Sequence, residues 1–214
     1  MIRVFKSPNA PASLAKGSSY DDEDVILQLQ DDHHKKCYLC ERTLCADFQV
    51  EHYKSKAANP DLKFVWSNLF WSCGYCNNKK LARFDNILNP TTINIEDEIK
   101  QTIDFSNKKA IFTTTCSNSP EHDITIQFLQ RIHNGTGISR KIREENFFEH
   151  IIGVVNSFMR LVCAYLTDIC PEKEALVREE LQIDKECLGF KYWIIKSNPT
   201  LVRTFAADII WNKK

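Results

Sequence analysis

Between residues 140 and 169 the apolar positions fall three and four apart: Ile142, Phe147, Phe148, Ile151, Val155, Phe158, Met159, Val162 and Leu166. That period predicts one long helix with a buried stripe, stopped by Pro171. Two further helices are expected near 172–187 and 199–211, so 121–214 reads as a mainly helical region. Upstream the period changes. The runs "TIDFS" and "AIFTTT", joined by Asn107-Lys108-Lys109, predict a β hairpin within 91–120. Nearer the start, "YDDEDVILQLQDDHHKK" predicts a short helix with Val25, Ile26 and Leu29 on its apolar side and Asp21 or Asp22 as cap. Pro8 and Pro11 mark an irregular lead before it. Residues 37–90 have no single period. They are rich in cysteine, aromatic and basic residues and close at the turn Asn89-Pro90. The expected class is therefore α+β in four segments: a lead with a short helix (1–36), a cysteine-rich module (37–90), a hairpin connector (91–120) and a helical region (121–214).

Composition narrows the setting. With 43% hydrophobic and 26% charged residues the chain reads as an ordinary globular protein. Met1–Lys16 has no apolar core of a signal peptide. The longest apolar stretch, "IIGVVNSFMRLVCAYL", contains Asn156 and Arg160 and falls short of the roughly 20 residues of a membrane span. A cytoplasmic location without membrane contact is expected. Nine cysteines in a reducing compartment point to metal where they come in pairs. The formal net charge is zero, which argues against tight binding of nucleic acid by charge alone.

The paired cysteines are "CYLC" (37–40) and "CGYC" (73–76). Four thiolates in two such knuckles form the usual closed structural zinc site, here Cys37, Cys40, Cys73 and Cys76. Cys45, Cys116, Cys163, Cys170 and Cys187 have no partner at that spacing and are expected in or near the core. The 32 residues between the knuckles exceed a simple zinc ribbon, so a folded insert is expected there. Within it "FQVEHYKSK" reads as a strand ending in Glu51-His52, "WSNLFWSC" brings Asn68, and a helix opens near Cys76-Asn77 into "NNKK". Lys54, Lys56, Lys63, Lys79, Lys80 and Arg83 make a local basic surface interleaved with aromatics. Across 31–86, however, nine Lys/Arg face seven Asp/Glu, a thin surplus for unaided binding.

A knuckle, a strand ending in an acid–His pair, a central Asn, and C-N-x-x-K after the second knuckle together resemble the HNH endonucleases in their four-cysteine, ββα-metal form. The resemblance implies His52 as general base, Asn68 as the residue pinning the loop between the strands, and Glu51 with Asn77 as ligands of a catalytic metal. Glu51 stands where that family usually has Asp. A carboxylate and an amide oxygen suit Mg²⁺ or Mn²⁺, and a neutral imidazole suits activation of water for phosphodiester hydrolysis. Lys80 matches the motif's lysine and is expected to contact phosphate, together with Lys54 and Lys56.

The wider pattern, "CYLCERTL…FQVEHYKSK…WSNLFWSCGYCNNKK…ILNP" after a lead opening "MIRVFKSPNAP", is similar to the HNH effectors of Septu anti-phage systems, the PtuB-type proteins also found with some retrons. This resemblance implies an ABC- or SMC-like ATPase partner of the PtuA type. An exposed part of 140–212 is expected to dock it. Phage DNA is the implied substrate, and a host RNA such as tRNA is the alternative from the retron-linked relatives. Two other readings stay open: a zinc-organised adaptor with an inactive site, and, ranked lower, an enzyme reading a DNA sequence by itself.

Overall fold

The computed structural model describes residues 1–43 and 46–211, and its architecture is α+β. In chain order the elements are α1 (Glu23–Asp32), β1 (Phe48–His52), β2 (Leu69–Cys73), α2 (Gly74–Lys80), α3 (Ile95–Glu98), β3 (Ile99–Asp104), β4 (Lys109–Thr114), α4 (Pro120–Asn134), α5 (Ile142–Thr167), α6 (Pro171–Glu180), α7 (Leu188–Lys196) and α8 (Pro199–Phe205). The strands form two separate antiparallel hairpins. In the first, Phe48 lies opposite Cys73 and His52 opposite Leu69; in the second, Ile99 faces Thr114 and Asp104 faces Lys109.

Local chemistry sets the helix boundaries. In α1 Val25 and Leu29 are buried as the spacing requires, with Ile26 half-buried beside them. Asp22 occupies the N-cap position, yet its carboxylate makes no capping bond. At α4, Ser119 and His122 cap each other's orphan groups ahead of Pro120. Asn198 caps α8 through its side-chain oxygen, which accepts from Thr200 N at 2.8 Å. In α5 the stripe Phe147, Phe148, Ile151, Val155, Phe158 and Val162 is buried against α4, α6 and α7. Ile142, at the first turn, stays exposed instead. By length and composition alone α5 is apolar enough to cross a membrane.

Between the two helices expected after Pro171 lies a third, α7, whose sequence LGFKYWIIK is buried on most sides. A helix covered all round carries no amphipathic period. Its existence is a correction to the expected layout.

One apolar cluster joins the lead (Met1, Val4), α1, the four knuckle cysteines, β2, β4, α4 and the first half of α5. A second packs the end of α5 against α6, α7 and α8. The lead is stitched onto the first hairpin rather than left loose. Val4 N donates to Pro90 O at 2.8 Å, and Trp66 Nε1 donates to Ser7 O at 2.8 Å. Lys6 sits 3.7 Å from the centre of the Trp66 ring and donates to Leu69 O at 2.5 Å. Burial pulls its ammonium pKa down to about 7. Among the unpaired cysteines only Cys187 meets the core expectation fully. Cys170 is half-covered, Cys116 and Cys163 are exposed, and Cys45 lies outside the described residues.

Candidate active site

The knuckles come together as the spacing requires. Around Cys37 and Cys40 the backbone turns tightly, with Cys37 N donating to Arg42 O at 2.9 Å and Glu41 N to Cys37 O at 2.8 Å. Cys73 ends β2, and its sulfur accepts from Cys76 N in the first turn of α2 at 3.4 Å. All four sulfurs are buried and lie within 4.8 Å of one another. A zinc–thiolate tetrahedron with bonds of about 2.3 Å has edges of roughly 3.8 Å, and Cys40 Sγ is 3.9 Å from Cys73 Sγ. This donor set fits a structural metal such as zinc. At Gly74, between the second pair, a Cβ would stand 2.8 Å from Asp47 Oδ1, so a larger residue there would displace the exposed Asp47 side chain.

β1, α2 and the start of α1 line an open cleft of about 570 Å³. Glu51, His52, Asn77, Lys56 and Tyr20 line it. Adjacent side chains in a strand diverge. Gln49 and Glu51 accordingly face α2, where Asn77 Nδ2 donates to Gln49 Oε1 at 2.6 Å and Lys80 Nζ lies 3.0 Å from Glu51 Oε1. His52 turns the other way, edge-on to the Tyr20 ring at 4.7 Å. Its Nε2 is 3.0 Å from the Lys63 carbonyl. A carbonyl only accepts, so Nε2 carries the proton and Nδ1 keeps the free lone pair. Burial pushes the imidazole pKa below its ordinary value, against the raising effect of the Lys63 carbonyl. Burial raises the Glu51 carboxyl pKa, and the Lys80 ammonium opposes that rise.

Asn68 is buried between the strands. Its Oδ1 accepts from Lys54 N at 2.7 Å, while its Nδ2 donates to Lys54 O at 3.0 Å and Leu62 O at 3.1 Å. One amide thereby ties both ends of the connection that also presents Lys63 O to His52.

Lys80 departs from expectation. Rather than standing in solvent for a phosphate, its ammonium is 2% exposed and donates to His52 O at 3.1 Å and Tyr53 O at 2.7 Å, beside Glu51 and Asp85. Two carboxylates and two carbonyls at the β1–α2 junction draw it inward. Lys56 lines the cleft and is bonded to the Tyr20 hydroxyl at 2.7 Å, while Lys54, next to the lining residue Ser55, is bonded to Asn86 Oδ1 at 2.7 Å.

Three residues in or behind the cleft escaped the sequence reading. Gln49 had a usable signal, since it lies two before Glu51 on the same strand face. Asp85 follows α2 and takes Ser55 N at 2.9 Å, but no spacing marks it. Tyr20 reaches His52 from the lead, across thirty-one intervening residues, with no motif to announce it.

Comparison with curated proteins finds no match at a significant level. Comparison with protein families finds one described as the bacteriophage lambda NinG protein, whose pattern runs from residue 24, in α1, to residue 133, near the end of α4. That span takes in both thiol pairs, the second hairpin and the cleft apart from Tyr20 and Asp21, and it is just over half of the chain. The chain belongs to the NinG family.

Proposed function

We propose that the chain is a metal-dependent endonuclease of the HNH type, with the β1–β2–α2 unit as its ββα-metal site. The observation that carries this is the convergence on one cleft of Glu51, His52 and Asn77, with the His52 tautomer set by Lys63 O. His52 Nδ1 takes a proton from water as the water oxygen attacks phosphorus. The imidazole is held neutral by its burial, so it is ready to accept at cellular pH. Asn68 fixes the loop that orients it. Glu51 and Asn77 offer a carboxylate and an amide oxygen, a hard donor pair suited to Mg²⁺ or Mn²⁺. When bound, such an ion supplies charge neutralisation at the scissile phosphate and leaving oxygen. Lys80 positions Glu51, while Lys54 and Lys56 meet the backbone of the nucleic acid.

The setting proposed is a Septu-type anti-phage complex with an ABC- or SMC-like ATPase. It rests on the resemblance of 37–90 and of the lead. The neutral net charge supports reliance on a partner, and the family match stops at residue 133, leaving α5 to α8 as a region for docking. Ile169 and Leu176, both exposed at the turn into α6 and on it, are the surface we assign to that contact. Phage DNA is the proposed substrate. The match to a family titled for a phage protein favours a second setting, in which the same chemistry serves a phage genome.

The test uses the purified chain, alone and with the ATPase, on plasmid DNA and on total tRNA with Mg²⁺ or Mn²⁺. Cleavage that His52→Ala abolishes, with zinc content unchanged, supports the reading. Equal cleavage by His52→Ala sinks it, and absence of cleavage under every condition leaves an adaptor organised by zinc. Cutting of tRNA alone moves the substrate to RNA. Protection of cells from phage separates the two settings.

A further inference from the structure

A second set of metal-ligating atoms lies outside the cleft. Glu98 ends α3, Cys116 follows β4, and His122 sits in the first turn of α4. Cys116 Sγ is 2.7 Å from Glu98 Oε2 and 3.3 Å from His122 Nε2, and His122 Nε2 is 3.1 Å from the same Glu98 oxygen. We propose that these three residues form a second metal site, one that takes Zn²⁺ or a similar borderline-soft divalent ion and leaves a coordination position open to solvent.

The geometry carries the assignment. A triangle with those sides has a circumradius of about 1.8 Å, so an ion about 1 Å out of its plane is roughly 2 Å from all three atoms, close to zinc's bond lengths to nitrogen and oxygen and slightly inside the ~2.3 Å to sulfur. A small outward shift of Cys116, which is exposed, completes the fit. One thiolate, one imidazole and one carboxylate are a donor set for zinc rather than for magnesium or calcium.

The surroundings are built for it as well. His122 Nδ1 lies 2.9 Å from Ser119 Oγ, whose hydroxyl is 2.7 Å from Glu121 Oε2. These contacts orient the ring; on metal binding Nε2 gives up its proton and Nδ1 takes one towards Ser119 Oγ, in place of the bond it now accepts from Ser119 N at 3.3 Å. The backbone is pinned next to the site, where Thr115 N donates to Glu98 O at 3.0 Å. On binding, the thiol S–H bond gives way to an S–metal bond and the proton leaves to solvent. The bound ion ties the second hairpin to the start of α4. Three protein ligands at the surface make it more exchangeable than the closed four-cysteine set.

Metal analysis of the full chain after equilibration with dilute Zn²⁺ tests this. Two zinc ions per wild-type chain are expected, and one in Cys116→Ser and in Glu98→Gln. Titration with Co²⁺ reads the site directly: the second equivalent gives sulfur-to-cobalt absorption in the wild type and none in Cys116→Ser. Cys116 is exposed, so its replacement leaves the fold intact, and the retained first zinc verifies that. A wild-type chain that stops at one ion, or a Cys116→Ser chain that still binds two, overturns the proposal.

Discussion

Lys80 holds its ammonium 3.0 Å from the Glu51 carboxylate, and both side chains are more than nine-tenths covered. Removing one member of such a pair strands the other charge in a poor solvent, at about 3–5 kcal/mol. Lys80→Met is therefore expected to destabilise the protein by that order, because Glu51 and Asp85 both lose their cation. The same substitution made on Glu51→Gln should cost distinctly less. Urea denaturation of the four chains measures the difference, and equal losses in both backgrounds would contradict the pairing.

Asn68→Ala removes three hydrogen bonds from a buried amide. At about 1 kcal/mol net for each, the expected loss is on the order of 2–3 kcal/mol. Asn68→Asp should do no better, since a carboxylate keeps the bond from Lys54 N but faces two carbonyl oxygens. Zinc content should stay at the wild-type level in both. If it fell, the loop would be supporting the thiols rather than His52.

Stripping the four-cysteine metal is expected to unfold the first hairpin. Structural zinc sites in small domains contribute on the order of 10 kcal/mol to folding. Chelation at neutral pH should lower Tm sharply and release the stacking of Phe48 on Trp71, now 4.2 Å apart. Near-ultraviolet circular dichroism follows that ring pair. Cys40→Ser should behave like the chelated protein. Helical signal from the end of α5 and from α6 to α8 should outlast it, because their cluster is separate from that of the thiols.

Acid should destabilise the fold through His133. Burial among Phe112, Phe147 and Phe190 pushes its pKa down to about 3, and its Nε2 has no partner. The folded imidazole therefore stays neutral while the unfolded one takes a proton near pH 6.5, so stability present above that pH is lost as pH falls towards 3. Between pH 7.5 and 5.5 this group alone costs about 1.4 kcal/mol. His133→Phe should flatten the stability–pH curve by that amount; an unchanged slope would show that another group sets it.

Much of this was legible because period and spacing survive translation into structure. The stripe of α5, the second hairpin and the two thiol pairs each carry a local repeat or a fixed interval. Asn77 and Glu51 were findable because their neighbours frame them. What stayed hidden depends on the third dimension. The helix α7 is covered on most sides and so has no polar face to give it a period. A lysine such as Lys80 reads as surface until two acids close around it. Tyr20 and His52, or Glu98 and His122, are brought together by packing, and no local rule encodes that.

The four thiols also impose an order of events. Two of them precede the cleft residues Glu51 and His52 in the chain, while the other two arrive only with residues 73 and 76. A nascent chain on the ribosome holds half a chelate and binds an ion weakly, if at all. The cleft itself, lined as far as Ala82, is complete only when the residues that follow the second pair have emerged.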